Sequence, residues 1–359
     1  MKEKDRYIVF SIVLFVQILT LITFVFCGGD MCIKKILCFL GLNAAISIVL
    51  FIILGGVNFV INKFCGYTGE TVYLSKEDLH YKSNFKSAKE IYIAKDVVNI
   101  PYKHFSGLTM LQYVEFEGEN TTISSNAFEG CTSLERVYLP SKLTKIRENT
   151  FKNCDKLEEI TIPDSVTKIG AGAFADCSSL TSVTIGNGVE EIGMGAFKNC
   201  EKLEEITIPD NVTKIEDNAF SGCKNVETLV IGDGLTSLDN LPITPALKSI
   251  VIGNGVTKIN NCRFCSCTNL ISVELGKNVT EIGVRTFRNC KILKSVTIPE
   301  SVTKIGENAF IECEELESVE FKDVKNLWKV GLESIEVSKP MENAKKLKES
   351  NYNWYKETN

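Results

Sequence analysis

Apolar residues recur along most of the chain with a period of 23 residues, and phenylalanine marks this period most clearly. One series with this spacing has six members and a second has three: Phe105, Phe128, Phe151, Phe174, Phe197 and Phe220, then Phe264, Phe287 and Phe310. The interval between the two series is 44 residues, which accommodates one degenerate copy with Leu241 in the phenylalanine position. The sequence therefore predicts about ten copies of one structural unit.

Each copy contains the pattern of a short strand. A leucine follows the phenylalanine after six residues, and two apolar residues separated by one polar residue come next, as Ile160 and Ile162 do. This alternation predicts a strand with one buried face, which a proline such as Pro163 or a glycine ends. The residues around Phe197 predict a single helical turn that carries the ring inward.

A unit of this size cannot bury its apolar face alone, but stacked copies share one continuous core. We therefore expect residues 71–322 to form a repeat solenoid of short parallel strands with helical turns. The copy around 239–245 is two residues short and lacks both the phenylalanine and the cysteine of the other copies. It predicts a local irregularity in the stack.

Residues 1–70 differ from the rest. They contain two runs without charged residues, 7–29 and 36–62. About twenty apolar residues suffice to cross a bilayer as a helix, so the runs predict a two-helix transmembrane hairpin. The alternative for the first run is a cleaved signal peptide, which the bulky Phe24, Val25 and Phe26 disfavour.

Charge around the two runs predicts the orientation of a multi-pass membrane protein. Four cations flank the outer ends of the runs, whereas the connecting segment carries Lys34 and Lys35. The positive-inside rule then places the solenoid in the cytoplasm, with the cell surface as the alternative.

Cysteine is abundant, with 14 residues against two histidines, His80 and His104. Eight cysteines lie three residues after the repeat phenylalanine or its equivalent: Cys131, Cys154, Cys177, Cys200, Cys223, Cys267, Cys290 and Cys313. A cysteine in register with the core behaves as a small buried hydrophobe. Adjacent strands lie about 4.8 Å apart, a wider separation than the Cβ atoms of a disulfide allow. We therefore expect reduced thiols.

Cys262 and Cys265 stand outside this register, next to Cys267. Their spacing is that of half a zinc site, but a tetrahedral site needs a second pair of ligands, which the sequence does not offer nearby. Ordinary packing is the favoured interpretation, and no metal or cofactor site is predicted.

The polar positions of the repeat predict a solvated sheet face lined by Ser, Thr and Glu, beside an edge of Lys residues interrupted by Glu191 and Glu281. Residues 71–359 hold 34 cations and 41 acids, a net charge of −7. This balance favours basic or neutral protein partners and disfavours nucleic acid. No residue set predicts catalysis, since the glycines fall at repeat turns and the two histidines offer no paired nucleophile.

Two motifs carry a family resemblance. Residues 192–200 (IGMGAFKNC) and 203–209 (LEEITIP) resemble the BspA-type leucine-rich repeat, and the match extends over about 230 residues. The tail, from Leu327 to Tyr355, is similar to the segment that closes bacterial members of this family. The resemblance implies a bacterial protein in which residues 323–359 form a C-terminal cap.

The leading hypothesis is a membrane-anchored scaffold that mediates protein–protein interaction through the solenoid, with the membrane contacted by residues 7–62. One alternative is a cell-surface adhesin that binds a protein or a glycan of a host or neighbouring cell. A second alternative is a regulatory subunit of a membrane transporter or enzyme.

Overall fold

The computed structural model describes residues 70–80, 85–321 and 329–330, all of which lie in one unit of the chain, Thr68–Asn359. These residues form a β-solenoid in which every strand pair is parallel. Each turn of the solenoid contributes a strand to a first column and, in most turns, a two-residue strand to a second column. A third side consists of hydrogen-bonded turns.

The first column contains twelve strands, so it spans eleven turns of the solenoid. They are β1 (Thr71–Leu74), β2 (Glu90–Ile93), β4 (Tyr113–Phe116), β6 (Arg136–Tyr138), β8 (Glu159–Thr161), β10 (Ser182–Thr184), β12 (Glu205–Ile208), β14 (Thr228–Ile231), β15 (Ser249–Val251), β17 (Ser272–Glu274), β19 (Ser295–Ile298) and β21 (Ser318–Phe321).

The second column contains ten two-residue strands. They are β3 (Asn99–Ile100), β5 (Thr122–Ile123), β7 (Lys145–Ile146), β9 (Lys168–Ile169), β11 (Glu191–Ile192), β13 (Lys214–Ile215), β16 (Lys258–Ile259), β18 (Glu281–Ile282), β20 (Lys304–Ile305) and β22 (Lys329–Val330). A short 3-10 helix, Lys76–His80, follows β1.

The repeat phenylalanines form a stack through the core. Their side chains are at most 2% exposed, and rings of successive turns from Phe105 to Phe220 lie 5.2–5.4 Å apart between centroids. Phe264, Phe287 and Phe310 continue the stack at 5.3 Å. Between them the degenerate turn places the buried Leu241 in this position.

The structure also confirms the irregularity around residues 239–245. The turn between β14 and β15 contributes no strand to the second column, so the ladder that contains β13 ends there and a new ladder begins at β16. The first column continues across the defect, because β14 pairs with β15 in register.

The predicted helical turns are wrong. The segment around each phenylalanine is a pair of β-turns. N–H groups that donate along the chain to close these turns alternate with N–H groups that donate across to the next turn of the solenoid. The N–H of Phe151, for example, donates to the carbonyl of Ala173 at 2.8 Å. Asn149 and Asn153 flank this ring with φ of 51° and 59°. Such left-handed residues interrupt a right-handed helix, and Asn tolerates them better than most residues do.

The second correction concerns the membrane. Within 70–80, 85–321 and 329–330 no helix is both long and apolar enough to cross a bilayer. The two runs that predicted the transmembrane hairpin, 7–29 and 36–62, lie outside the described residues. The two-helix anchor and the multi-pass membrane localisation are therefore not retained. Most of the expected cap, 323–359, also lies outside, although β22 extends the second column beyond β20.

Candidate interaction surface

The outward face of the first column is the most continuous exposed sheet surface of the described solenoid. Inward residues of its strands form the core, as Val183 does, while the residues on either side of them face solvent. The predicted Ser, Thr and Glu lining is confirmed, with exposed side chains such as Glu159, Thr161 and Ser182. Because strands pair in register, residues in the same repeat position form rows across the face.

Four tyrosines replace this lining at the N-terminal end of the face. Tyr73 stacks on Tyr92, with centroids 5.0 Å apart and rings inclined by 15°. Tyr113 lies 5.6 Å from Tyr92 and 5.8 Å from Tyr138. Tyr73 and Tyr138 are 48% and 54% exposed, so the cluster is open to solvent at both ends. We name these four residues the tyrosine patch.

Carboxylates lie beside two of the four rings, Tyr92 and Tyr113. The hydroxyl of Tyr113 donates to Oε2 of Glu115 at 2.6 Å. Partial burial, this hydrogen bond and the charge of Glu115 raise the pKa of Tyr113 above its ordinary value. Partial burial and the carboxylates of Glu90 and Glu115 raise the pKa of Tyr92. Arg136, exposed on β6, is paired with Tyr113 across the strands. The patch therefore combines aromatic rings with two carboxylates and one guanidinium, a net negative charge that favours a cationic group.

A groove of about 710 Å³ lies further along the same column, where β12, β14, β15 and β17 run past the irregular turn. Thr207, Val230, Val251 and Glu274 line its sheet side, each paired with the next across the strands. The two half-exposed valines make this the apolar part of the groove.

The rim of the groove is a ladder of side chains that cap the turns of the next coil. Asp210 Oδ1 accepts the N–H of Asp233 at 2.9 Å, Asp233 Oδ1 accepts the N–H of Asn254 at 2.7 Å, and Asn254 Oδ1 accepts the N–H of Lys277 at 2.9 Å. Hydrogen bonds from the backbone and side chain of Asn254 lower the pKa of Asp233. These groups are already used by the fold, so the rim is less free to bind a partner than the tyrosine patch.

The lysine edge predicted from the sequence is the outward side of the second column. Glu191 bridges Lys168 and Lys214 there, at 2.8 Å to each Nζ. Glu281 bridges Lys258 and Lys304 in the same way. Each of the two glutamates that interrupt the edge therefore bridges a pair of lysines and offsets one of the two positive charges of that pair.

The cysteine ladder lies inside the stack. All eight of its members are buried, as expected, and the ten described cysteines are free thiols. The ladder donates into the backbone of the preceding turn, as Cys177 Sγ does to the carbonyl of Phe151 at 3.2 Å. Cys262 is exposed and Cys265 half-exposed, contrary to the packing interpretation. No group of three or more His, Cys, Asp or Glu side chains in the described part of the chain could hold a metal ion.

The tyrosine patch was missed from the sequence, although a signal was present. Tyr113 and Tyr138 occupy the two strand positions that hold Ser, Thr or Glu in most later copies. Tyr92 lies 46 residues before Tyr138, two periods away and in the same repeat position, although it precedes the first phenylalanine of the series. Tyr73 lies 19 residues before Tyr92 and outside the period, so only the strand register, in which it pairs with Tyr92, brings it into the cluster.

Comparisons with known proteins agree with this architecture. The family model described as BspA type leucine rich repeat region matches the chain in six copies, over residues 80–202, 144–241 and 243–350. No curated protein matches the chain.

Several solved structures are similar. A leucine-rich cell surface protein from Faecalibacterium prausnitzii is 23% identical, over 72% of this chain and 84% of that protein, with a TM-score of 0.40. A leucine-rich repeat protein from Eubacterium ventriosum is 20% identical, over 75% and 91%, with a TM-score of 0.42. One from Bacteroides ovatus is 24% identical, over 66% and 88%, with a TM-score of 0.28.

Proposed function

The chain belongs to the BspA-type leucine-rich repeat family, and from that premise we propose that it is a protein-binding scaffold whose partner docks on the tyrosine patch. The observation that carries the proposal is the cluster of Tyr73, Tyr92, Tyr113 and Tyr138 on an otherwise polar sheet face. The proposal assigns binding to the chain and no reaction.

Tyrosine supports this role because it offers a large rigid contact at little conformational cost, with a hydroxyl that finds a polar partner. It is enriched at protein interfaces and among the residues that dominate binding energy. The patch brings four such rings together without burying them in the core, since the inward neighbours Val72 and Ile91 fill that role. A solenoid offers the extended surface on which such a contact can be enlarged.

Charge defines the class of partner. Glu90 and Glu115 lie among the rings, and the solenoid region as a whole is acidic, with a net charge of −7 over residues 71–359. A protein segment with Lys or Arg side chains would place cations near both the ring faces and the carboxylates. We therefore propose a basic protein segment as the ligand of the patch.

The test compares two variants of the full chain in its native cells. Tyr73→Ser with Tyr92→Ser and Tyr138→Ser removes three of the four rings of the patch. Its matched control is Tyr102→Ser with Met110→Ser and Met194→Ser, which removes three side chains that are 48–58% exposed outside the first column.

Each variant is cross-linked in the cells and affinity-purified with quantitative mass spectrometry. We expect one protein to cross-link, through a segment with Lys or Arg side chains, to both the wild type and the control variant. The same protein should be absent from the material purified with the patch variant. Equal recovery of every cross-linked protein by both variants would exclude the patch as the binding surface.

A further inference from the structure

Cys262 and Cys265 are the first and fourth residues of one β-turn. The N–H of Cys265 donates to the carbonyl of Cys262 at 3.1 Å, which closes the turn. The Cα atoms of such positions lie within about 7 Å, and disulfides join Cα atoms about 4.4–6.8 Å apart. The backbone therefore already holds the two residues at a separation that a disulfide can span.

The side chains of these two positions face each other. In two earlier coils a Cβ atom at the first position would lie 3.9 Å (Gly172 to Ala175) or 3.7 Å (Gly195 to Lys198) from the Cβ atom of the fourth position. Both separations fall within the range that a disulfide spans. An earlier coil shows the same relationship with other residues, because Asn126 Nδ2 donates to Glu129 Oε2 at 2.8 Å from the equivalent pair of positions. Contact between the two side chains is thus a property of the turn itself.

Neither position belongs to the core. Cys262 is exposed and Cys265 half-exposed, whereas Cys267, two residues further on, is buried in the ladder. Cys262 also has a φ of 54°, in a position that other coils fill mostly with Asn or Gly, the residues that adopt this conformation at least cost. Packing and backbone preference therefore give no reason for a cysteine at position 262.

The surroundings of the pair give the two thiols different roles. Burial raises the pKa of Cys265 to about 12, although the nearby guanidinium of Arg288 acts in the opposite direction. Cys265 Sγ also donates to the carbonyl of Arg285 at 3.0 Å. Cys262, which is open to solvent, is the thiol that an external reagent meets first.

We propose that Cys262 and Cys265 form a redox-active dithiol that closes to a disulfide by exchange with a low-molecular-weight disulfide such as oxidised glutathione. The thiolate of Cys262 attacks one sulfur of the reagent, forms a mixed disulfide and releases one thiolate. Cys265 then loses its proton to solvent and attacks the Cys262 sulfur, which releases the second thiolate. The two cysteines lose two electrons and two protons, and the reagent becomes two molecules of thiol.

Closure has a structural consequence that separates it from an inert surface modification. The sulfur of an oxidised Cys265 carries no proton, so its hydrogen bond to Arg285 is lost. The turn also contains Arg263, whose guanidinium contacts the irregular coil. A disulfide between positions 262 and 265 therefore restricts the conformation of this β-turn, which contacts the coil that lacks a second-column strand.

The test treats the native full-length chain with oxidised glutathione at about pH 8, because the thiolate is the attacking form and alkaline pH favours it. The reaction is stopped with acid, free thiols are alkylated, and the digested chain is mapped by mass spectrometry. We expect the peptide with Cys262 and Cys265 to lose both alkylatable thiols together with two hydrogen atoms, and to regain them on reduction. Cys267 stays alkylatable only after unfolding and serves as the internal control.

Two variants complete the test, and both change side chains outside the core. In Cys265→Ser the resolving thiol is absent, so Cys262 should retain one glutathionyl group. In Cys262→Ser we expect a loss of reaction at position 265. A stable glutathione adduct on wild-type Cys262 beside an alkylatable Cys265, or two thiols that remain reduced, would overturn the proposal.

Discussion

The guanidinium of Arg263 donates to the carbonyl of Leu241, with Nη2 and O 3.3 Å apart. In a regular coil the equivalent carbonyl belongs to the repeat phenylalanine and accepts a ladder thiol, as the carbonyl of Phe264 accepts Cys290 Sγ at 3.2 Å. Arg263 also donates to the carbonyl of Leu238. One arginine, in a position where most coils have alanine, therefore donates two hydrogen bonds to the backbone of the coil that lacks a second-column strand.

Arg263→Ala should destabilise the solenoid, because it leaves the carbonyl of Leu238 without its donor, while the carbonyl of Leu241 still accepts the N–H of Ile243 at 3.0 Å. A lost buried hydrogen bond with its desolvated partner costs about 1–3 kcal/mol. The buried Nε of Arg263 has no partner in the described structure, which offsets part of that loss and favours the lower end of the range. Thermal and urea unfolding followed by circular dichroism measure the difference.

Arg136→Ala is the matched control for this substitution. Arg136 is an exposed residue of β6, so its removal should change the free energy of unfolding by less than about 0.5 kcal/mol. Equal stability of the two variants would mean that Arg263 does not support the irregular coil.

The phenylalanine stack predicts a graded response at Phe174. This ring is fully buried, 5.4 Å from Phe151 and 5.3 Å from Phe197. Phe174→Ala leaves a cavity between two rings and should cost about 3–5 kcal/mol. Phe174→Leu should cost less, because Leu241 shows that the stack accepts leucine.

Urea unfolding of both variants tests this order, with Met194→Ala as the control for a 56% exposed side chain. A cost for the leucine variant as large as for the alanine variant would show that stacking, rather than filled volume, holds the coils together.

The repeating architecture could be predicted from the sequence because every coil fills its core with the same types of residue at the same positions. Phe174, Leu180 and Val183 recur in register, and that recurrence predicted the parallel strands and the buried cysteines, while the family was predicted from the resemblance of residues 192–200 and 203–209. The helical turns were wrong because the sequence shows which ring points inward but not where the N–H of Phe151 finds its acceptor.

The candidate site was harder to predict for a related reason. Tyr73 and Tyr92 become neighbours through the pairing of β1 with β2, outside the regular period. The contact between Arg263 and Leu241 depends on the missing strand, which the sequence located only as a shortened copy. Features that recur in every coil could be predicted from the sequence. Contacts that form where the repeat begins or is interrupted became visible only in the structure.

Ladder cysteines should be nearly inert in the native protein. Burial raises the pKa of Cys177 to about 12, and its thiol is fully buried. The thiolate is the reactive form, so at about pH 8 its alkylation should be more than about 10³-fold slower than that of an ordinary exposed thiol. Timed labelling with iodoacetamide and peptide mapping, in native buffer and in urea, measures the rate of each cysteine. Native labelling of Cys177 as fast as that of Cys262 would contradict the buried ladder.

Glu191 should make the stability of the solenoid depend on acidic pH. Its hydrogen bonds to Lys168 and Lys214 lower the pKa of its carboxyl to about 2. A carboxyl with a lowered folded-state pKa stabilises the protein above its unfolded value, about 4.3. That contribution is lost as pH falls from about 4.5 towards 2. Such exposed pairs contribute about 0.2–1 kcal/mol each.

Glu191→Gln should therefore flatten the acid limb of the stability profile, measured by urea unfolding at a series of pH values. Glu190→Gln removes the same charge from the exposed neighbour, which forms no ion pair in the described structure, and should keep the limb steep. Glutamine cannot ionise, and below about pH 2 Glu191 of the control variant is itself protonated. The free energies of unfolding of the two variants should therefore converge there. Parallel profiles for the two variants over the whole range would show that the bridge between Lys168 and Lys214 does not contribute to folding.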